Sequence, residues 1–366
     1  MTAPLLIVGA GPVGLTAALE LTRRGRRVRV LERRREREPT SRALAVNPRS
    51  LELLQACGAT DRLLAQGLPI HGLRVVKDGR PLAGADFAQL RHPYPYMLGL
   101  PQRRTEAILE NLLAERGVPV ERGVEALGVT QDDAAARLTV RREAGEETLE
   151  APLLLAADGA HSTLRKALGL GFPGRRDEET FRMIDAEVAW AQPHDRVSLL
   201  LDDHRLLACI PLPEAGCWRF IAVEEDPAAR LERHGRLLRE DWRSAFQVSY
   251  RRIGRMSVGR VHFAGDAAHV HSPIGARGMN LGMEDACVFA QCVAEDRLAD
   301  YGPARHAVAG RVLRLTENFT DLVTARAPLT RWLRDTLGFR LLKLPPLRDR
   351  AIRGATGLDH PNPVRG

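Results

Sequence analysis

Apolar and polar positions alternate along the chain in three distinct rhythms. LLIV at residues 5–8 is a short, wholly apolar run, and the stretch that follows it repeats apolar positions at helical spacing as far as Gly25. VRVLE at 28–32 is a second strand-like run. Two later segments have the same form: LLLAA at 153–157 stops at Asp158-Gly159, and VHFA at 261–264 stops at Gly265-Asp266. The first leads into a short helix that Ser162 can cap and Gly169 can end; the second leads into a long helix over 275–295. Strands alternating with helices predict a parallel α/β sheet.

Between those corners the rhythm changes. FRMIDAEVAW, RVSLLLDD, HRLLACIPLP and CWRFIAVEED are short β-like runs separated by turn residues such as Asp202-Asp203 and Glu214-Ala215-Gly216. They predict an antiparallel sheet, which the hairpin pattern at 72–84 joins. Beyond about residue 300 the chain is helical and arginine-rich, broken by LPP at 344–346. It ends in a polar stretch, 354–366, that predicts a mobile tail. Trp332, Leu333, Leu337, Phe339 and Leu341 form an apolar face for packing, a membrane surface or a homodimer contact.

Composition narrows the class. With 366 residues, 44% hydrophobic and 27% charged, the chain is long enough for two or three folded domains. No apolar run reaches the roughly 18 residues of a candidate membrane span. The N-terminus lacks the basic start of a signal peptide and reads as a strand. Five cysteines without a CxxC pair fit reduced thiols in a cytoplasm. The net charge of +8 is carried by arginines spread along the whole chain, with only three lysines. This predicts a basic surface and no nucleic-acid partner.

The chemistry gathers at the corners. Gly9, Gly11 and Gly14 have GxGxxG spacing between strand and helix. That spacing allows a tight turn, close approach of a pyrophosphate to backbone, and close helix–strand packing. Glu32 ends the second strand, where a carboxylate holds a ribose diol and repels the extra phosphate of NADP. The resident nucleotide is therefore FAD or NAD. Arg33 adjoins Glu32 and is a further candidate, although the run Arg33–Arg35 reads mainly as a solvated loop. His269 and His271 lack a third ligand at metal spacing and read as loop-ordering residues.

GAGPVG at 9–14, SRALAVNPRSLELL at 41–54, LPQRRTEAIL at 100–109, AADGAHSTLR at 156–165 and GDAAHVHSPIGARGMNLGMEDA at 265–286 carry a family resemblance. Through them nearly the whole chain resembles the single-component FAD-dependent aromatic hydroxylases typified by para-hydroxybenzoate hydroxylase. The resemblance implies a Rossmann-type FAD-binding domain with a parallel sheet (1–69, 101–172 and 253–300). It also implies an inserted, mainly antiparallel substrate domain (70–100 and 173–252) and a C-terminal helical segment (301–366). Asp266 would hold the ribityl chain, Arg42 and Gln102 would flank the pyrophosphate and ribityl groups, and Val124 would meet the adenine side through its backbone. Asp158 would lie near the pyrophosphate and the path of NAD(P)H. The turn at Pro273 would face the substrate. Gly275 and Gly278 would admit the flavin ring at the helix N-terminus, beside Met279, with Asn280 tying the loop down. Ala276-Arg277 depart from the Gly-Gln of many members.

The implied activity is NAD(P)H- and O2-dependent hydroxylation of a phenolic or polycyclic ring, through a flavin C4a-hydroperoxide. No catalytic acid or base is assigned. Tyr94, Tyr96, His92, Arg205, Trp218 and Arg219 lie in the pocket domain, each equally readable as packing or surface. A flavin halogenase lacks support because Trp190, Trp218, Trp242 and Trp332 are scattered and no WxWxIP segment occurs. A dithiol reductase would need a redox cysteine pair and a second GxGxxG. A flavin-binding protein without turnover stays open. A length of 366 residues predicts no thioredoxin-like C-terminal domain of the kind some relatives carry.

Overall fold

The computed structural model describes residues 3–364 except 42, 203–204, 224, 274 and 325–337. Six strands form the first sheet, in the spatial order Ser257–Val258, Val261–Phe263, Leu154–Ala156, Leu5–Val8, Val28–Glu32 and Val120–Arg122. All pairings are parallel except that of Ser257–Val258 with Val261–Phe263. Leu5–Val8, Leu154–Ala156 and Val261–Phe263 are buried at every residue, as a sheet covered on both faces requires. Helices Pro12–Arg23, Gln102–Glu115 and Gly278–Ala294 pack together over this sheet, and one apolar core joins them to it.

The second sheet has eight strands. It runs His269–Val270, Arg236–Arg252, Gly174–Ala189, Cys217–Val223, Arg205–Pro211, Arg196–Asp202, Gly72–Lys77 and Arg80–Asp86. The hairpin 72–86 joins by a parallel pairing with Arg196–Asp202; the other pairings are antiparallel. Trp218, Phe220 and Ile184 form its core. At the other end, Arg251 and Arg252 pair with Val270 and His269. One rung of the second sheet therefore belongs to the loop after Gly265-Asp266.

Two elements were not read from the sequence. Residues 125–151 form an antiparallel meander, and Ala45–Val46, Met97–Gly99 and Leu68–Ile70 form a small sheet. The C-terminal tail also differs from its expectation. Pro345 opens a helix, Pro345–Thr356, at a position where a missing N–H does no harm, and Gly357 ends it at φ +77°. Residues beyond it are held by hydrogen bonds to Arg49 and Glu284, so 354–364 is docked. Trp332, Leu333 and Leu337 lie outside the described residues, as does the side chain of Phe339. Among the described residues no helix is long and apolar enough to cross a membrane.

Candidate functional site

The three corners abut. Gly9 has φ +106°, and a Cβ there would stand 2.3 Å from the Ala157 carbonyl oxygen and 3.2 Å from Asp158 Cα. A Cβ on Gly14 would stand 1.9 Å from the Gly9 oxygen, and one on Gly265 2.7 Å from Val13 Cγ2. Those glycines are required by backbone and side-chain contacts within the protein. Gly11 is different: a Cβ there meets nothing within 4 Å. Its space opens outward at the start of helix Pro12–Arg23, where free N–H groups attract an anion.

Glu32 stands beside this opening. One carboxylate oxygen accepts the Ala10 N–H at 2.9 Å and the other accepts the Arg34 N–H at 3.0 Å. Each oxygen keeps capacity for a hydroxyl donor. Ala10, Gly11, Glu32, Arg34, Glu106 and Arg122 are among the residues lining the cleft. Arg33 is exposed and does not line it; the neighbouring Arg34 does, as do Arg37 and Arg122. Side chains on adjacent loop residues diverge, and strand periodicity ends at Glu32, so the sequence had no signal to separate the two.

Gln102 opens helix Gln102–Glu115, donates its backbone N–H to Ala43 at 3.0 Å, and donates its side-chain amide to Glu106 at 2.7 Å. Arg42 lies outside the described residues. Val124 is buried and its N–H is taken by the Glu32 carbonyl at 3.0 Å, which places it next to Glu32 at the cleft.

Asp158 caps helix Thr163–Ala167: its Oδ2 accepts the N–H groups of Thr163 at 2.8 Å and Leu164 at 3.3 Å. Ser162 shares the work by accepting the Arg165 N–H. The second oxygen, Asp158 Oδ1, is buried with no hydrogen-bond partner among the described residues, and burial raises the carboxyl above its ordinary value. Asp266 keeps exposed surface, yet crowding by neighbouring atoms strips water from its carboxyl and raises it; His269 opposes that rise. It makes no side-chain hydrogen bond to a described residue.

The loop after Asp266 is fixed from below. Asp285 accepts the Gly265 N–H at 3.1 Å, lies 2.7 Å from His269 Nε2, and accepts Arg305 Nε at 2.6 Å. Arg305 also donates to Glu284 at 2.5 Å. The network is buried, and its ion pairs hold both carboxyls low against the effect of burial, Glu284 at about 2. His271 bonds through Nδ1 to the Ser272 carbonyl at 3.0 Å, and burial lowers its pKa to about 3. Both histidines therefore have loop contacts, and no group of three or more metal-ligating side chains occurs among the described residues.

Pro273 begins a turn whose carbonyl accepts the Ala276 N–H at 3.0 Å. Gly275 has φ +87° and Ala276 φ +53°, so an alanine occupies left-handed backbone here. Helix Gly278–Ala294 then begins without a side-chain cap, leaving first-turn N–H groups for a partner. Met279 is half-buried against the main core. Asn280 accepts the Asn47 N–H at 2.9 Å and donates to the carbonyls of Ala45 at 2.8 Å and Ala276 at 2.7 Å. It ties the turn to the 45–47 segment.

The other pocket-domain candidates have structural partners. Trp218 is core; Arg219 forms a two-point pair with Asp185 at 2.7 Å and lies over Trp242; Arg205 is exposed and pairs with Glu225. His92 and Tyr94 meet at a tilt, and Tyr94 and Tyr96 meet edge to face, along the loop before Met97–Gly99. Glu106, Glu284, Asp285 and Arg305 were not singled out in the sequence. The last three belong to or face the helix after the glycine-rich turn, and their signal was acidic residues inside an otherwise apolar helix.

These residues fit a flavin dinucleotide. Open space over Gly11, an orphaned buried oxygen on Asp158 and an unpaired carboxylate at Asp266 lie around one run of abutting backbone.

The comparisons agree with this geometry. A family model described as FAD binding domain matches residues 2–234 and 229–316. The 6-methylpretetramide 4-monooxygenase of Streptomyces rimosus is 38% identical over 88% of this chain, which spans 62% of that relative's length. The crystal structure of p-nitrophenol 4-monooxygenase from Pseudomonas putida DLL-E4 superposes with a TM-score of 0.87 at 26% identity, covering 97% of this chain and 98% of that one. The anhydrotetracycline hydroxylase structure from Streptomyces rimosus gives a TM-score of 0.82 at 30% identity, covering 100% of this chain and 78% of that one. With family match, fold and cleft in accord, the chain belongs to the FAD-binding domain family of aromatic-hydroxylase flavoproteins.

Proposed function

We propose that this chain is an FAD-dependent monooxygenase that uses NAD(P)H and O2 to hydroxylate an electron-rich aromatic ring. The relatives are named for 6-methylpretetramide, anhydrotetracycline and p-nitrophenol, which supports a phenolic or polycyclic substrate. Bound FAD supplies the redox and oxygen-transfer chemistry. The chain's own residues bind, orient and shield it. Glu32 would accept ribose hydroxyls, and the N–H groups above Gly11 would face the pyrophosphate, near Gln102 and Arg34. Asp266 would accept from the ribityl hydroxyls. The free N–H groups at the start of Gly278–Ala294 would face the ring edge that gains negative charge on reduction.

The eight-stranded sheet, with residues 70–100 and 173–252, is the proposed substrate domain. Apolar groups between it and the 273–280 turn, among them Phe87, Met97 and Ile210, would exclude water there. The observation that carries the proposal is the contrast among the glycines, since Gly11 alone in the GxGxxG run has its space unfilled by protein.

That contrast sets the test. Gly11→Ala is expected to leave the stability of FAD-free protein unchanged while weakening FAD binding at least tenfold. Gly14→Ala, whose Cβ meets backbone, is expected to destabilise the fold itself. Equal FAD affinity in Gly11→Ala would remove the cofactor reading. With FAD bound, phenol-stimulated NAD(P)H oxidation and a product one oxygen heavier establish hydroxylation; retained flavin without either establishes a binding protein.

A further inference from the structure

The C-terminal helix Pro345–Thr356 is stapled to the turn that enters helix Gly278–Ala294. Buried Arg277 donates to the Gly354 carbonyl and, at 2.9 Å, to Asp359. Arg49 donates to the His360 carbonyl at 2.8 Å, and His360 Nε2 lies 2.8 Å from Glu284. Ile352 is thereby buried in an apolar cluster with Phe87 and Met97, against which Ala276 of the turn also packs.

Beside this cluster lies a recess of about 390 Å³, lined by Gln89, Leu90, Arg91, Asp349, Ile352 and Arg353. Its volume is that of a small-molecule site. Leu90 and Ile352 give it an apolar side, and the cluster they share continues to Ala276. Its charged groups are two guanidinium groups and one carboxylate. Asp349 is 3.7 Å from Arg348, outside the lining. Among the described residues Arg91 has no ion pair, and Arg353 has none either, donating to the Leu358 carbonyl at 3.3 Å. The recess is therefore apolar on one side and cationic at its rim, and its wall is held in place by the Arg277 and Arg49 contacts.

We propose that this recess is a subsite for aromatic substrates that carry an acidic group, the ring against Leu90 and Ile352 and the anion between Arg91 and Arg353. The proposal rests on the monooxygenase reading and adds to it a substrate class and a role for the C-terminal helix. A carboxylate matches the paired donors of a guanidinium in plane, and water at the rim limits the gain to about tenfold.

Calorimetric titration of FAD-loaded protein with 1-hydroxy-2-naphthoate and with uncharged 1-naphthol tests it. The acid is expected to bind about tenfold more tightly, a preference that shrinks with added salt. Arg91→Gln with Arg353→Gln is expected to abolish that preference and leave naphthol affinity unchanged. Leu90→Trp, which narrows the recess from its half-buried apolar side, is expected to weaken both ligands; flavin content and far-UV circular dichroism check that each variant folds. Equal binding of the two ligands by the wild-type protein, or a preference that survives the double substitution, overturns this proposal alone. Failure of both ligands and of a wider phenol panel to bind protein that retains FAD would remove the monooxygenase reading as well.

Discussion

Asp285→Asn changes almost no volume and tests the buried network beneath the Gly265-Asp266 corner. The native carboxylate has three neighbours: Arg305 Nε at 2.6 Å on one oxygen, and His269 Nε2 at 2.7 Å with the Gly265 N–H at 3.1 Å on the other. An amide has one acceptor oxygen. The less damaging orientation keeps the two contacts on Oδ2 and turns the NH2 toward Arg305, where donor meets donor. A hydrogen bond to a charged group contributes about 1.5–3 kcal/mol, and depriving a buried charge of a partner costs about 3–5 kcal/mol. Glu284 still pairs with Arg305 at 2.5 Å, so the expected loss is near the lower end, about 3 kcal/mol. Urea unfolding of FAD-free protein, followed by far-UV circular dichroism, measures it as a shift in midpoint at constant slope. FAD affinity is expected to fall in parallel, because the Gly265 N–H helps to set the corner that carries Asp266. A loss below about 1 kcal/mol, the range of an exposed pair, would refute the assignment of these groups to a dry, mutually dependent network.

Further outcomes follow from other sites. Ala276→Gly relieves left-handed backbone at φ +53°, a gain of about 1–2 kcal/mol less about 0.5–1 for glycine's entropy, so the melting temperature is expected to rise slightly. A fall of several degrees would show that the alanine methyl's packing outweighs its strain. Burial lowers His262 to about 4 and His271 to about 3 from 6.5, so the unfolded chain takes up protons first as pH falls below 6.5. Stability is expected to decline from pH 6.5 down to about 4, where His262 itself protonates in the fold, and on toward about 3 for His271; His262→Phe, which keeps the ring against Phe289 and Tyr301, is expected to flatten that slope. His360 behaves oppositely: burial lowers it, but Asp359 and Glu284 outweigh burial and raise it. Its contribution is present below its unfolded value and lost as pH rises through the higher folded one. Arg277 on Asp359 and Arg305 on Glu284 surround the same pair of carboxylates. Proteolysis of residues 345–364 is expected to quicken above neutral pH in the native protein, and His360→Ala is expected to cleave quickly at all pH values.

Much of the cofactor cleft was legible because its determinants are local. An apolar run ending in glycine, followed by a helix, specifies the turn at Gly9–Gly14, and the acid at Glu32 follows from strand length. The neighbouring corners repeat that logic. Legibility ended where partners are remote and polar. Arg277 and Arg49 look like surface residues in sequence, but they bury themselves by holding the C-terminal carbonyls. That same pairing docks a tail whose composition suggests freedom. Glu284 and Asp285 interrupt an apolar helix, and their meaning depends on Arg305 on the next helix. Trp218 and Arg219 are adjacent pocket candidates on one strand, yet both are buried, Trp218 by packing in the sheet's core and Arg219 by pairing with Asp185.

The short strand His269–Val270 has a mechanical consequence. It is the terminal rung of the eight-stranded sheet and also a link in the loop after Asp266. Any tilt of that broad sheet must pull on this link, so a ligand that shifts the platform also shifts the Gly265-Asp266 corner. Grafting a foreign middle segment onto this chain would therefore have to preserve the junction at Arg251 and Arg252, or the two halves would lose their common hinge.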